Sequence, residues 1–206
     1  MSISPSQFPQ LISAIINTIN AHADEVTELD QAIGDGDHVF NLQRGLTALD
    51  QAKHEISALA WPAAWQKIGM VLMASVGGAS GSLYATLFIS LSKNSSQGEL
   101  SNSSFASAFS AAVEAVKQRG KSDVGEKTML DVLVPVAEAL KAGVANNQDY
   151  GQLLNSVTEA ASQGVEATRN MIATKGRASF LGERSIGHID AGAKTAQLMI
   201  EAIASL

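Results

Sequence analysis

Three carboxylates, an imidazole and a carboxamide fall within Asp30–Asn41, Asp-Gln-Ala-Ile-Gly-Asp-Gly-Asp-His-Val-Phe-Asn. Asp35 and Asp37 flank Gly36. A sharp turn at Gly34 and Gly36 aims both side chains at one point, where two anions repel unless a cation lies between them. Oxygen-only ligands favour a hard ion, Mg²⁺ or Ca²⁺, over zinc. The calcium-loop pattern D-x-[DN]-x-[DN]-G is broken at Val39, which turns the choice towards magnesium. A single Asp-Gly-Asp would read better as a solvated turn between helices. Asp30 upstream, with His38 and Asn41 just downstream, shifts the reading to a metal site.

Three further polar stretches stand at expected helix ends. Ser75–Gly81, Ser-Val-Gly-Gly-Ala-Ser-Gly, suits phosphate, because glycines allow close backbone approach and the next helix offers free amides and its positive dipole end; alone it would be a helix–helix turn. Arg119–Thr128 resembles a phosphate-binding P-loop at a glance but fails the pattern. Glu126 stands where Lys is required after Gly125, and no strand precedes Gly120. What remains is a flexible loop whose Lys and Thr could touch a nucleotide. Lys175–Gly192 reads as a long loop that serves as a lid. Phe180, Leu181 and Ile186 are its expected apolar anchors, Arg177, Arg184 and His188 its positive groups, and Asp190 a partner for a ribose hydroxyl or a metal-bound water.

Amphipathic helices must position these stretches. Leu11, Ile12, Ile15, Ile16 and Ile19 recur at helical spacing. A second helix, capped by Asp24, carries Val26, Leu29 and Ile33 and stops at Gly34. The third opens near Asp37 or His38 and runs through Leu42, Leu46 and Leu49. Pro62 starts a fourth, with Trp65, Ile68, Leu72 and Val76 inward, and Ala79–Gly81 opens a fifth through Leu83, Leu87 and Leu91. After a loop at Ser92–Ser104, stripes follow at Phe105–Val116, at Met129–Leu140 with Pro135 bending the axis, at Leu154–Ile172, and at Ala193–Ile203. Met70, Met73 and Met171 read as core fillers. No strand signal is present. The fold expected is all-α, a closed antiparallel helical barrel or bundle of about eight helices.

The 206 residues fit one domain with a full core, spanning 1–206. Without cysteine there is neither a disulfide framework nor a thiolate metal site. A net charge of -6 with no Lys/Arg cluster argues against nucleic acid. The first residues lack the basic and apolar regions of a signal peptide, and no apolar run reaches bilayer length, so a cytoplasmic protein without membrane contact is expected.

Taken together, Gly34–His38, Asn41, Arg44-Gly45, Ser75–Gly81, Arg119–Lys121, Gly125, Lys127–Met129, Gly176–Ser179 and Leu181–His188 resemble the nucleotide-binding L subunit of dihydroxyacetone kinases, in the same order from about Asp30 to Gly192. The resemblance implies a barrel of eight antiparallel helices with nucleotide at one open end. It implies that Asp30, Asp35 and Asp37 bind two Mg²⁺ ions bridging the phosphates of ADP or ATP. His38, Asn41, Ala79 and Ser80 would line the phosphate and sugar, and Gly120, Met129, Arg177 and Asp190 the rest of the nucleotide. Val39, Phe180, Ile189 and Ala191 depart from residues common in the family, which bears on the lid and sugar contacts.

At this length the chain is similar to the stand-alone subunit of the phosphotransferase-system type. In that type bound ADP is rephosphorylated by a phosphohistidine on an M-type subunit, and the phosphoryl group passes to dihydroxyacetone, or a related short ketose, on a K-type subunit. Phosphoryl transfer is mostly positioning and charge neutralisation, so no general base is assigned here. A homodimer is expected. The alternatives are the nucleotide domain of another carrier-protein-dependent kinase, such as a fatty-acid kinase, and a non-enzymatic co-regulator of a transcription factor.

Overall fold

The computed structural model describes residues 4–96, 98 and 100–206. The leader reading at residues 1–3, and Gln97 and Glu99 of the expected Ser92–Ser104 loop, lie outside the described residues. Among those described there are nine α-helices and no strand: α1 (Phe8–Ala21), α2 (Ala23–Ile33), α3 (His38–Ser57), α4 (Trp61–Ser75), α5 (Gly78–Asn94), α6 (Asn102–Gly120), α7 (Leu130–Ala145), α8 (Tyr150–Thr168) and α9 (Ala191–Ala204). None is long and apolar enough to cross a membrane.

Each helix buries one stripe, and the stripes define a ring. α1 packs on α3, each of α3 to α9 on the next, and α9 returns to α1, giving a closed barrel of eight helices with α2 lying outside against α1, α3 and α9. Ile19, Val26, Ile56, Val116 and Val132 are fully enclosed, each contributing about 1.5–3 kcal/mol relative to exposure. At the start of α1, Phe8 meets Trp61 and Trp65 of α4 edge-on; the two tryptophans stack at 5.3 Å, and Phe88 of α5 covers Trp65.

Pro135 lies inside α7, which continues through it as one helix. The missing N–H frees the Asp131 carbonyl of its helical partner, and Gly164 of α8 fits against that oxygen, where a Cβ would stand 2.2 Å away.

The structure corrects several expectations. Asp24 is not a cap: His22 alone separates α1 from α2, and Asp24 and Glu25 sit in the first turn, where they complement the helix dipole. Met70 and Met73 are 59% and 49% exposed; Trp61, Trp65, Ile68 and Leu72 take the inward face of α4, and the methionines fall beside it. The loop before α6 is shorter than expected, because Ser101 caps the helix by accepting from the Ser104 amide at 3.1 Å. α8 ends at Thr168, before Ile172. The expected lid contains a 3-10 helix, Arg177–Ser185, broken at Gly182. Phe180 and Ile186 do not anchor it; they are exposed.

Candidate active site

Alternating helix direction brings the N-terminal ends of α3, α5, α7 and α9 to one end of the ring, beside the C-terminal ends of α4, α6 and α8. His38 of α3 meets Ser80 of α5 and Thr195 of α9. Arg44 of α3 donates to the Ser75 carbonyl that ends α4 at 2.7 Å. Gly120 at the end of α6 lies against Leu83 of α5, and Gly192 of α9 lies beside Met129, the N-cap of α7. Every residue predicted for the site stands at this end.

The acidic loop is shaped by Gly34, where a Cβ would come within 2.2 Å of the Asp30 Oδ1 atom. Asp30 therefore folds over the turn, and its Oδ2 accepts from the His38 amide at 3.1 Å. Carboxylate oxygens of Asp30, Asp35 and Asp37 lie within 4.8 Å of one another. Asp37 is the N-cap of α3 yet makes no side-chain cap bond, so its carboxylate is left to the cluster. The Arg177 Nε is paired with Asp35 Oδ2. Three hard oxygen donors around one point, with room for water and phosphate oxygens, fit Mg²⁺.

His38 forms the wall behind this cluster. Its Nε2 is 2.9 Å from Thr195 Oγ1, which itself donates to the Gly192 carbonyl at 3.1 Å. The threonine proton being committed, Nε2 carries the imidazole hydrogen and Nδ1 accepts from Ser80 Oγ at 3.3 Å. Burial pushes the imidazole below its ordinary range, against the opposing pull of Asp30 and Asp37. Beneath it, burial pushes the Tyr84 hydroxyl up to about 12.

α5 opens without a side-chain cap. A Cβ on its N-cap Gly77 would stand 2.5 Å from Asn41 Oδ1 and 2.9 Å from Arg44 Nη2, so a larger residue there would displace these two side chains of α3. The amides of Gly78, Ala79 and Ser80 form a first turn with no capping side chain over it, a ready anion site.

The stretch between α6 and α7, expected to be a flexible loop, is tied down by hydrogen bonds. Asp131 receives the amides of Gly125 at 2.5 Å and Thr128 at 2.7 Å, while Glu126 receives the Asp123 amide and the Thr174 hydroxyl. Lys127 turns inward and is buried.

Asp190 caps α9 through the Ala193 amide at 2.7 Å, and its own amide donates to Thr168 Oγ1 at 3.1 Å. Burial above all pushes its carboxyl up to about 7. The Ala193 amide and Lys127 offset part of this, and Asp131 and Asp30 add to it.

Thr195, Thr168 and Asp131 were not singled out by sequence, and Lys127 was read as part of a loop and of the family pattern rather than as a buried member of this network. Thr195 had a readable signal, a hydroxyl among Ala191, Ala193, Ala196 and Leu198 on the inward face of α9. Buried Lys127 had none, since it sits among polar residues in a loop.

An all-helical ring with a carboxylate loop and several helix N-termini at one end defines a class of anion- and metal-binding domain. A family model described as the DAK2 domain matches residues 32–205, and the chain belongs to that family. It is 43% identical over 178 residues, 86% of this chain and 84% of the relative, to the PEP-dependent dihydroxyacetone kinase 1, ADP-binding subunit DhaL, of Listeria innocua. It is 35% identical to the corresponding subunit of Escherichia coli, over 99% of this chain and 98% of that one. The human triokinase/FMN cyclase is 30% identical, over 94% of this chain and 34% of that protein. The crystal structure of the dihydroxyacetone kinase from C. freundii in complex with AMP-PNP and Mg²⁺ superposes with a TM-score of 0.75 at 22% identity, covering all of this chain and 34% of that one.

Proposed function

We propose that the chain is the nucleotide-binding subunit of a phosphoenolpyruvate-dependent dihydroxyacetone kinase. It holds Mg-ADP, is recharged by an M-type phosphotransferase-system subunit, and passes the phosphoryl group to dihydroxyacetone on a K-type subunit. Residues 1–206 form one nucleotide-binding domain in this reading. The observation that carries it is the carboxylate cluster of Asp30, Asp35 and Asp37, linked to the uncapped start of α5 through His38, whose amide donates to Asp30 and whose ring meets Ser80. Relatives named as ADP-binding subunits align along most of their length, whereas the triokinase aligns over a third of its own. This favours a subunit that works with partners.

Asp30, Asp35 and Asp37 would hold Mg²⁺, which when bound neutralises the phosphates and fixes their orientation. The amides of Ala79 and Ser80 donate to phosphate oxygens at the positive end of α5. Neutral His38 orients the Ser80 hydroxyl, and Asn41 offers a carboxamide beside Gly77. Met129 and Gly120 line the floor towards the base, Asp190 the sugar side, and Arg177 reaches the phosphates from the lid segment. These residues bind and orient; none is placed to take a proton, as phosphoryl transfer by positioning and charge neutralisation requires.

Reconstitution with K- and M-type subunits, phosphoenolpyruvate and dihydroxyacetone should yield phosphorylated ketose, with ADP retained through purification. No transfer from either phosphoenolpyruvate or ATP, and no bound nucleotide, would refute the reading.

A further inference from the structure

Lys127 is the largest fully buried side chain in the described structure, at 1% exposure, and its backbone is left-handed, with φ 61. Filling that space asks only for a methionine-like stem; burying an ammonium there carries a desolvation cost that needs specific partners. It has them. Nζ donates to the Thr168 carbonyl at 2.6 Å, at the end of α8, and to the His188 carbonyl, just before α9. Asp131 and Asp190 are the anions that face it and Arg169 the nearby cation. Asp131 also fixes the loop that presents Lys127, through Gly125 and Thr128. The two carbonyls it joins bracket the segment that bears Arg177 and leads into Asp190.

We infer that Lys127 is a positioning residue for the nucleotide: its ammonium clasps the two ends of the 168–188 segment and so sets where Arg177 and Asp190 stand. The inference deepens the nucleotide-binding reading above and rests on it. The clasp closes the base of the segment while Phe180, farther out, stays exposed. Gly187 donates to the Arg169 carbonyl at 2.8 Å and Asp190 to Thr168, whereas Phe180 is 86% exposed. Enclosed in the protein, with both of its hydrogen bonds going to carbonyls, Lys127 acts through backbone.

The test compares Lys127→Met with Leu153→Ala, a core truncation at the opposite end of the barrel, matched for loss of melting temperature. Lys127→Met should release Mg-ADP at least tenfold faster than Leu153→Ala, with faster hydrogen exchange at Gly187 and Asp190. Equal off-rates at matched stability would overturn the clasp, leaving Lys127 a structural residue. If Lys127→Met does not fold, Lys127→Gln, which keeps two donor hydrogens without the charge, is judged by the same comparison. Exchange in the wild-type protein decides independently of any variant: Gly187 and Asp190 should be protected like α9 while Ser179–Gly182 exchange fast, and uniformly fast exchange from 170 to 190 would refute the clasp. Failure of wild-type protein to bind Mg-ADP would instead overturn the nucleotide reading itself.

Discussion

The Arg177 guanidinium lies against the Asp35 carboxylate and thereby joins the 3-10 segment to the acidic loop. Asp35 is also a member of the carboxylate cluster, so in the proposed reading a metal and Arg177 would draw on the same group. Mg²⁺ held by the cluster would take this carboxylate and leave the guanidinium available to phosphate. Arg177 itself is 72% exposed, and as a surface ion pair its contact with Asp35 is worth only about 0–1 kcal/mol. Arg177→Ala should therefore leave the melting temperature of the nucleotide-free protein nearly unchanged. It should speed nucleotide release about tenfold or more, since a charge-assisted bond contributes roughly 1.5–3 kcal/mol. Off-rates of Mg-ADP, together with hydrogen exchange across Lys175–Gly192 with and without ligand, check this. Identical exchange in both states with wild-type off-rates would make the segment a plain connection.

Asp35→Asn removes a charged ligand while relieving repulsion among three anions. Tight Mg-nucleotide binding should fall on the order of 100-fold, the size expected for lost metal coordination or its support, with the helical content intact. Calorimetric titration of ADP at several magnesium concentrations measures it, and an unchanged magnesium dependence would sink the metal assignment.

Ligand that binds only the folded chain stabilises it by mass action, by about 2.7 kcal/mol at 100 times Kd. Mg-ADP should raise the melting temperature by several degrees, and EDTA should remove the gain. A shift of the same size in excess chelator would show that the nucleotide does not bind through the metal.

Stability should depend on pH through Asp190 in a direction opposite to the usual carboxylate. Its folded value, about 7, lies above the ordinary 3.8. The stability it contributes is full below 3.8 and is lost as pH rises through about 7. His38 runs the other way, its depressed folded value giving stability that is full above 6.5 and lost as pH falls. Asp190→Asn keeps the cap on α9, since Asn is also a good N-cap. In metal-free protein the variant should gain on wild type between pH 4 and 8, on the order of 2 kcal/mol once screening of a partly exposed carboxyl is allowed for. Denaturant melts at several pH values give the difference directly. A constant difference would show that Asp190 titrates normally.

Most of the helices were legible because apolar spacing is a local property: Leu42, Leu46 and Leu49 repeat within one helix and need no partner to be read. The carboxylate cluster was legible for the same reason, its members being close in sequence. The His38–Thr195 bond was not, because its partners are 157 positions apart and only closure of the ring brings them together. Met70 and Met73 misled because an unbranched apolar side chain suits a core, while the phase of α4 is decided by Trp61, Trp65, Ile68 and Leu72. Phe180 misled likewise, since it is exposed and the ends of the lid segment are held by backbone carbonyls that accept from Lys127. The nucleotide roles of Asn41, Ala79, Gly120 and Met129 came from family resemblance.

The seam where α1 meets α9 has a kinetic consequence. Every other neighbouring pair in the ring is close in sequence, but this pair joins α1 to α9, and such remote contacts carry the largest loop-closure cost. Thr195, on α9, holds the imidazole on α3. The ladder from α3 to α8 can thus form well before the imidazole acquires that partner, so nucleotide capture should report closure of the ring by α9 and not merely the presence of the acidic loop.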